Sequence, residues 1–421
     1  MSKNTMGPIP YGTQHITDKD IEAVTEVLRA DYLTQGPQIP QFEEAFADYI
    51  GSDYAVAVSN GTAALHLSVL ALGVEPGQKV ITTPITFAAS ANCVKYAGGE
   101  VDFVDIDLDT FLIDLDLVEE KLVNAKPDDY AGIIPVDFTG LAVDTERLQA
   151  IADKYDLWIL EDACHAPGGS FEDSQRENVY CGDCQYADAS IFSFHPVKHI
   201  AAGEGGMITT NDKDFKKKLE VLRTHGITKE TNIFKNSVAV ALGGNNTIDG
   251  AEGKQKKTTQ RSPSTEYPGW YYEMQELGYN YRLTDIQCTL GLSQLQRADQ
   301  GLQKRRGIAR RYDEAFKNIG EIITQNVSPE DQENHHAYHL YVIQVENRKE
   351  LYNYLREQEI YSQIHYIPVH LLPYYQQFGW EKGNFPKAEE YYERCISLPM
   401  YPTLSDDQQE FVIEKVLEIV T

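Results

Sequence analysis

The stretch ASIFSFHPVKHIAAGEGGMITT (189–210) sets the reading of the whole chain. Two apolar runs, ASIFSF and GMITT, flank a short connection rich in His, Lys and Gly, which predicts a strand, a turn carrying one lysine and a return strand. Runs of the same kind recur upstream: AVAV (55–58), VIT (80–82), VDFVDI (101–106), GIIPV (132–136) and LWIL (157–160). Helical patterns separate them, TERLQAIADKY (145–155) among them, and TDKDIEAVTEVLRA (17–30) precedes them with Thr17 as its cap. This alternation predicts an α/β fold with a large, mostly parallel sheet covered on both faces.

Downstream the pattern changes. Residues 229–269 are mostly Gly, Asn, Lys, Thr and Ser around one apolar patch, SVAVALGG, and read as a surface insertion. A capping box of Thr284 and Gln287 opens a long helix, TDIQCTLGLSQL. The last third offers an alternating strand AYHLYVIQV (337–345), a helix over 347–358 and a strand IYSQIHY (360–366). A final helix is capped by Ser405 with Gln408 at its third position. The expected organisation is a large domain over 1–283, carrying the insertion, and a connecting helix with a smaller α+β domain over 284–421.

Composition narrows the function classes. The 421 residues carry 37 basic and 64 acidic side chains, a net charge of −27, which argues against nucleic-acid or anionic-membrane binding. No apolar run is long enough to span a membrane, and the start MSKNTMGPIPYG lacks the basic and apolar regions of a secretory signal. Six Cys are too few for a disulfide framework, so a reduced, cytoplasmic protein is expected.

Ligands of parallel α/β sheets sit at the carboxyl ends of the strands. There, Ser59-Asn60-Gly61-Thr62-Ala63-Ala64 forms a small-residue turn into a helix, either a phosphate cradle or an ordinary cap. Thr83-Pro84-Ile85-Thr86-Phe87 brings a ring to the same crevice or buries it in the core. After LWIL come Glu161 and Asp162, on opposite faces by strand periodicity, then Cys164 and His165. Lys198 lies between a strand and a Gly-rich turn, with no helical acid beside it, and desolvation there makes a lysine nucleophilic. Together these are the parts needed for pyridoxal 5'-phosphate: a lysine to bond its aldehyde carbon, an acid for its ring nitrogen, an aromatic against the ring, and Ser193 with the Gly61–Ala63 amides at its phosphate. Cys181-Gly182-Asp183-Cys184 has metal-ligand spacing, but one such pair alone is a weak signal and no metal is expected. His335, His336 and His339 read as polar surface or subsidiary site residues.

EDACHA (161–166), FSFHPVKHIAAGEGGMITTND (192–212), GYNYRLTDIQCTLGLSQL (278–295), YLTQGP (32–37), NGTAAL (60–65), TPITFAASAN (83–92) and QIHYIPVH (363–370) resemble the DegT/DnrJ/EryC1/StrS nucleotide-sugar aminotransferases. The likeness spans nearly the whole chain outside the insertion. It implies the type I fold of pyridoxal-phosphate enzymes and a homodimer with shared active sites. It assigns the Schiff base to Lys198 and the pyridinium contact to Asp162. It sets His165 and Phe87 against the ring, and Gly61, Thr62 and Ser193 at the phosphate. Asn280 would reach the phosphate in the neighbouring subunit. Tyr11, Asp31, Tyr32, Leu33, Thr34, Gly61, Ile364, His365, Tyr366 and Ile367 match positions that hold the nucleotide sugar. SFHPVK, GEGG and WYYEMQELGYNYRLTD point to the pseudaminic acid branch of the family. The implied reaction carries an amino group from glutamate, which leaves as 2-oxoglutarate, with pyridoxamine phosphate as the intermediate form of the cofactor. The acceptor is UDP-4-keto-6-deoxy-N-acetyl-β-L-altrosamine. Rivals are a perosamine or bacillosamine type of acceptor, a 3-dehydratase (which has His where Lys198 stands), a non-catalytic cofactor binder and a zinc hydrolase on Cys181 and Cys184.

Overall fold

The structure is a computed structural model that describes residues 7–126, 128–243 and 266–421. Its centre is a seven-stranded sheet: β1 (Tyr54–Val58), β2 (Lys79–Thr82), β3 (Glu100–Phe103), β4 (Tyr130–Ile134), β5 (Trp158–Asp162), β6 (Ala189–Ser193) and β7 (Gly206–Thr210). The spatial order is β1-β7-β6-β5-β4-β2-β3. Only β7, the return strand, runs against the others. It lies between β1 and β6, so the carboxyl ends of those two strands flank its first residue, with Gly206 opposite both Val58 and Ser193.

Alternation along the strands divides the core. Val56, Val58, Leu160, Ile191 and Ile208 face the helix Gly61–Ala71, whose residues are almost all buried. Ala55, Ala57, Phe192 and Met207 face Phe42 and Phe46 of the helix Gln38–Ile50 on the other side. A helix apolar all round has to be enclosed, and Gly61–Ala71 is enclosed by the sheet and by Lys213–Arg223. Fully burying each large aliphatic side chain stabilises by roughly 1.5–3 kcal/mol.

In the last third, β8 (Ile323–Thr324), β9 (Tyr341–Gln344) and β10 (Cys395–Leu398) form an antiparallel sheet. Here the structure corrects two expectations. The strand expected over 337–345 is only Tyr341–Gln344 and does not alternate, because it is buried on both faces: Val342 packs with Phe111 and Tyr391, Ile343 with Tyr312 and Phe316. The strand expected over 360–366 is only Ile360–Tyr361, paired parallel with Ile9–Pro10. The Thr284 capping box is present, but its helix stops at Leu295 and a second, Ala298–Phe316, follows. The Thr17 and Ser405 caps are formed.

Much of the insertion, 244–265, lies outside the described residues. Its described flanks are held by Phe234, Tyr267 and Tyr271, whose ring centroids lie 4.8–5.7 Å apart, and by Glu273, which accepts the Lys235 and Asn236 amides. The six cysteines are unpaired, and no described helix is long and apolar enough to cross a membrane.

Candidate active site

The carboxyl ends of β1, β5 and β6 open on a cleft of about 740 Å³. Its wall includes Gly61, Thr62, Phe87, Asp162, His165, Ser193 and Lys198, together with Tyr11 and Tyr366.

The helix Gly61–Ala71 starts at this cleft. Asn60 caps it, its side chain accepting from the Ala63 amide at 2.8 Å. The cap takes the Ala63 amide, which was expected at the phosphate, and leaves those of Gly61 and Thr62, without an acceptor inside the helix, to suit an anion. A Cβ on Gly61 would stand 3.1 Å from Ser193 Cβ and 3.6 Å from Cys164 Sγ, so the turn needs glycine to lie this close to β6. Bare backbone beside the Ser193 hydroxyl at a helix start fits a phosphate.

Asp162 ends β5 with its carboxylate on the cleft side, buried, and Glu161 faces the opposite side, as the alternation requires. Ser90 Oγ donates to Asp162 Oδ2 at 2.7 Å, and the Cys164 amide donates to Oδ1 at 3.3 Å. Ser90 Oγ also meets Thr86 Oγ1 at 2.8 Å. Phe87 is not a core residue: its ring is 62% exposed and stands in the cleft, 6.1 Å from Tyr366.

Lys198 sits in a loop closed at its base, where Phe194 N donates to Gly205 O and Ala202 N to Phe194 O. Within it, Lys198 N donates to His195 O at 2.8 Å. Burial lowers the affinity of the Lys198 amine for a proton, and nearby Arg305 adds to this, while Cys164 and Asp162 oppose it. His165 is held well below the usual imidazole range, by burial first and then by Lys198, His365 and His199. Its Nε2 lies 3.3 Å from the Tyr366 hydroxyl, and its ring centroid is 4.3 Å from that of His339.

The sugar-contact positions fall into two groups. Tyr11 and Tyr366 line the cleft, and His365 packs beside Tyr11 at 5.1 Å with its Nδ1 2.8 Å from Ser397 Oγ. Ile364 packs in the core, and Ile367 is exposed beyond the wall. Asp31, Tyr32, Leu33 and Thr34 are exposed and away from the cleft of their own chain, tied to the start of the helix Asp285–Leu295 through Thr34–Thr284 pairing and Leu33 O. Asn280 is likewise exposed and outside that cleft.

Three further results concern residues that the sequence left undecided or overlooked. Ser90 has no motif to announce it; only the fold brings it to Asp162. His335, His336 and His339 are buried rather than surface groups, and His339 reaches the cleft. Cys181 comes together with Asp137 and Glu161, donor atoms within 4.8 Å of one another, and not with Cys184, whose Sγ lies near Ser190 and Thr209. Burial and mutual repulsion push the Asp137 carboxyl well above its usual range, and burial pushes Glu161 up to about 7.

Comparison with known proteins gives the family. The profile of the DegT/DnrJ/EryC1/StrS aminotransferase family matches residues 14–417. The chain is 37% identical to the spore coat polysaccharide biosynthesis protein SpsC of Bacillus subtilis, over 98% of this chain and 97% of that one. It is 32% identical to a UDP-4-amino-4,6-dideoxy-N-acetyl-beta-L-altrosamine transaminase of Campylobacter jejuni, over 98% and 97%. Helicobacter pylori PseC, an aminotransferase involved in the biosynthesis of pseudoaminic acid, superposes with a TM-score of 0.81 at 29% identity, covering 98% of this chain and 99% of that one. The chain belongs to the DegT/DnrJ/EryC1/StrS family of sugar aminotransferases, which work with pyridoxal phosphate.

Proposed function

We propose that the chain moves an amino group from glutamate to the 4-keto carbon of a nucleotide sugar, and that UDP-4-keto-6-deoxy-N-acetyl-β-L-altrosamine is the acceptor. The observation that carries this reading is the convergence of Lys198, Asp162 and the Gly61 helix start on one cleft. The altrosamine acceptor is supported by the names of the Campylobacter and Helicobacter relatives. A second acceptor reading, another 4-keto sugar bound for a surface polysaccharide, is favoured by the higher identity to SpsC.

Bound pyridoxal phosphate supplies an electron sink at the carbon that loses its proton. The chain's own residues do the rest. Gly61, Thr62 and Ser193 would hold the phosphate. Asp162, fixed by Ser90 and the Cys164 amide, would meet the ring nitrogen and keep a proton there. Phe87 and His165, both on the cleft wall, would lie against the ring, and His165, being neutral, would add no charge against that proton. Lys198 Nζ, with its proton affinity lowered, takes the donor's α-proton and returns it one carbon away. Tyr11, His365 and Tyr366 border the sugar side.

Asn280 and Asp31–Thr34 lie outside their own cleft, which supports a homodimer in which each copy completes its partner's site. In this reading the chain divides into 1–283 and 284–421, and the cleft lies between Lys198 and Asp162 of the first part and Tyr366 of the second.

The test is a panel of UDP-linked and other nucleotide 4-keto sugars incubated with glutamate, with products read by mass. A single 4-amino sugar from the altrosamine acceptor is expected, and none with Lys198→Ala. Turnover by Lys198→Ala at the wild-type rate overturns the assignment.

A further inference from the structure

Lys198 borders a second, smaller space besides the cleft. It measures about 60 Å³, room for roughly two waters, and lies where the N-terminal segment meets the helix Ala298–Phe316. Its wall carries His15, His199, Arg297, Lys304 and Arg305 in addition to Lys198. None of its lining residues is a carboxylate. In a chain with a net charge of −27, this is a local inversion of sign.

Arg305 is the least explained of these groups. It is 1% exposed, yet among the described residues no carboxylate lies within ion-pairing distance of it. Its Nη1 donates to three neutral carbonyls, those of Tyr338, His339 and Met400, at 2.9–3.3 Å. Its Nε has no partner among the described residues. Neighbouring Arg297, by contrast, is matched by Asp20 at 2.5 Å. Taking a cation out of water without an opposite charge costs several kcal/mol, and buried charges in proteins are as a rule paired.

The imidazoles around Arg305 do not supply that partner. His199 and His339 are held neutral, by burial first and then by Arg305 and Lys198. His199 Nε2 and His339 Nδ1 are buried and have no partner either. Asp162 faces Lys198 only from the cleft side. An unpartnered Nε–H on a buried guanidinium, with Lys198 and Lys304 on the same wall and no carboxylate among the lining residues, describes the complement of an anion.

We propose that this space is a subsite for one carboxylate-sized anion, held by Arg305 and His199 beside Lys198. The anion is the distal carboxylate of a dicarboxylic amino donor or a free small anion of the same chemistry. The first source rests on glutamate being the donor. Lys198 is a wall of both spaces, so a donor bound beside Lys198 in the cleft has this cationic subsite next to it. Arg305 is then a binding residue for the donor that no linear motif reveals.

The probe is sodium formate, titrated calorimetrically into the holoenzyme in chloride-free buffer. Saturable binding is expected, weakened at least tenfold in Arg305→Met and in His199→Gln, each checked for native circular dichroism. If Arg305→Met does not fold, His199→Gln decides alone. Steady-state kinetics then separate the two sources. A rise of tenfold or more in the KM for glutamate, with kcat within threefold of wild type, identifies the donor's carboxylate. Loss of formate binding with an unchanged KM identifies a free anion as the occupant. Formate that does not saturate the wild type, or that binds both variants as tightly, overturns the subsite. Failure of glutamate to aminate any sugar would count against the proposed function and leave the formate result standing.

Discussion

Ser90 and Asp162 are 72 residues apart in sequence, yet the serine hydroxyl donates to the carboxylate at 2.7 Å. Both are buried, and the hydroxyl is held from its other side by Thr86. A hydrogen bond to a charged group contributes about 1.5–3 kcal/mol, and an acid facing a ring nitrogen has to keep its orientation. Ser90→Ala should therefore lower kcat about tenfold, since each 1.4 kcal/mol is one decade. The protein should stay folded and keep its cofactor. Steady-state kinetics beside a melting curve check this; a kcat equal to wild type would show that Asp162 needs no such support.

Gly206, the first residue of the antiparallel strand, lies against the cap of the phosphate-side helix. A Cβ there would come within 2.6 Å of Asn60 C and O and 2.9 Å of Gly61 N, all backbone atoms that cannot swing aside. Gly206→Ala should push the helix start off Ser193, at a cost of roughly 1–3 kcal/mol in packing strain. Pyridoxal phosphate should bind at least tenfold more weakly, measured by fluorescence titration of the apoenzyme. Unchanged affinity would mean that the first turn contributes little to phosphate binding.

These two residues mark the boundary of what the sequence makes legible. Asp162, Ser193 and Lys198 were readable because each ends or follows an apolar run, and strand ends of a parallel sheet share one edge. Phe87 was ambiguous because a ring after a strand suits a core as well as a cleft, and only its exposure decides. Ser90 was invisible because a polar residue inside a short helix carries no sign of the strand it will meet. His335, His336 and His339 read equally as surface or as subsidiary site residues because His is often exposed; the tertiary fold buries all three beneath the helix that carries Arg305 and Arg306, and brings only His339 of the three to the cleft wall. The strand Tyr341–Gln344 was placed but misjudged in length and patterning, since packing on both faces removes the alternation that announces a half-buried strand.

His336 gives a prediction about acid stability. It is fully buried, accepts the Tyr338 amide at Nδ1 over 2.8 Å, and is held down to about 3, by burial first and then by Arg306. An unfolded histidine titrates near 6.5, so between pH 6.5 and 3 the unfolded chain binds a proton that the native one does not. Stability therefore falls as the pH drops through that window. His336→Gln should flatten the dependence by about 1.4 kcal/mol per pH unit between pH 6 and 4, whatever its cost at pH 7. Urea unfolding at a series of pH values measures both slopes. Parallel slopes would show that native His336 takes up the proton as readily as the unfolded chain.

The acid pair behind the sheet predicts the opposite sign. Glu161 accepts from the Gly182 amide at 2.8 Å and from the Ser190 hydroxyl, and it is held up to about 7 beside Asp137. Because the native carboxyl keeps its proton to a higher pH than the unfolded one, the stability it contributes is present at low pH. That stability is lost as the pH rises from about 4.5 through 7. Glu161→Gln keeps an acceptor for Ser190 and Gly182 and offers Asp137 an N–H donor that cannot ionise. The variant should gain on the wild type by about 1.4 kcal/mol per unit across that window and run parallel to it above pH 7. Chemical unfolding from pH 4 to 8 checks the trend. A variant whose deficit stays constant across the range would mean that Glu161 is ionised throughout and that Asp137 alone carries the proton.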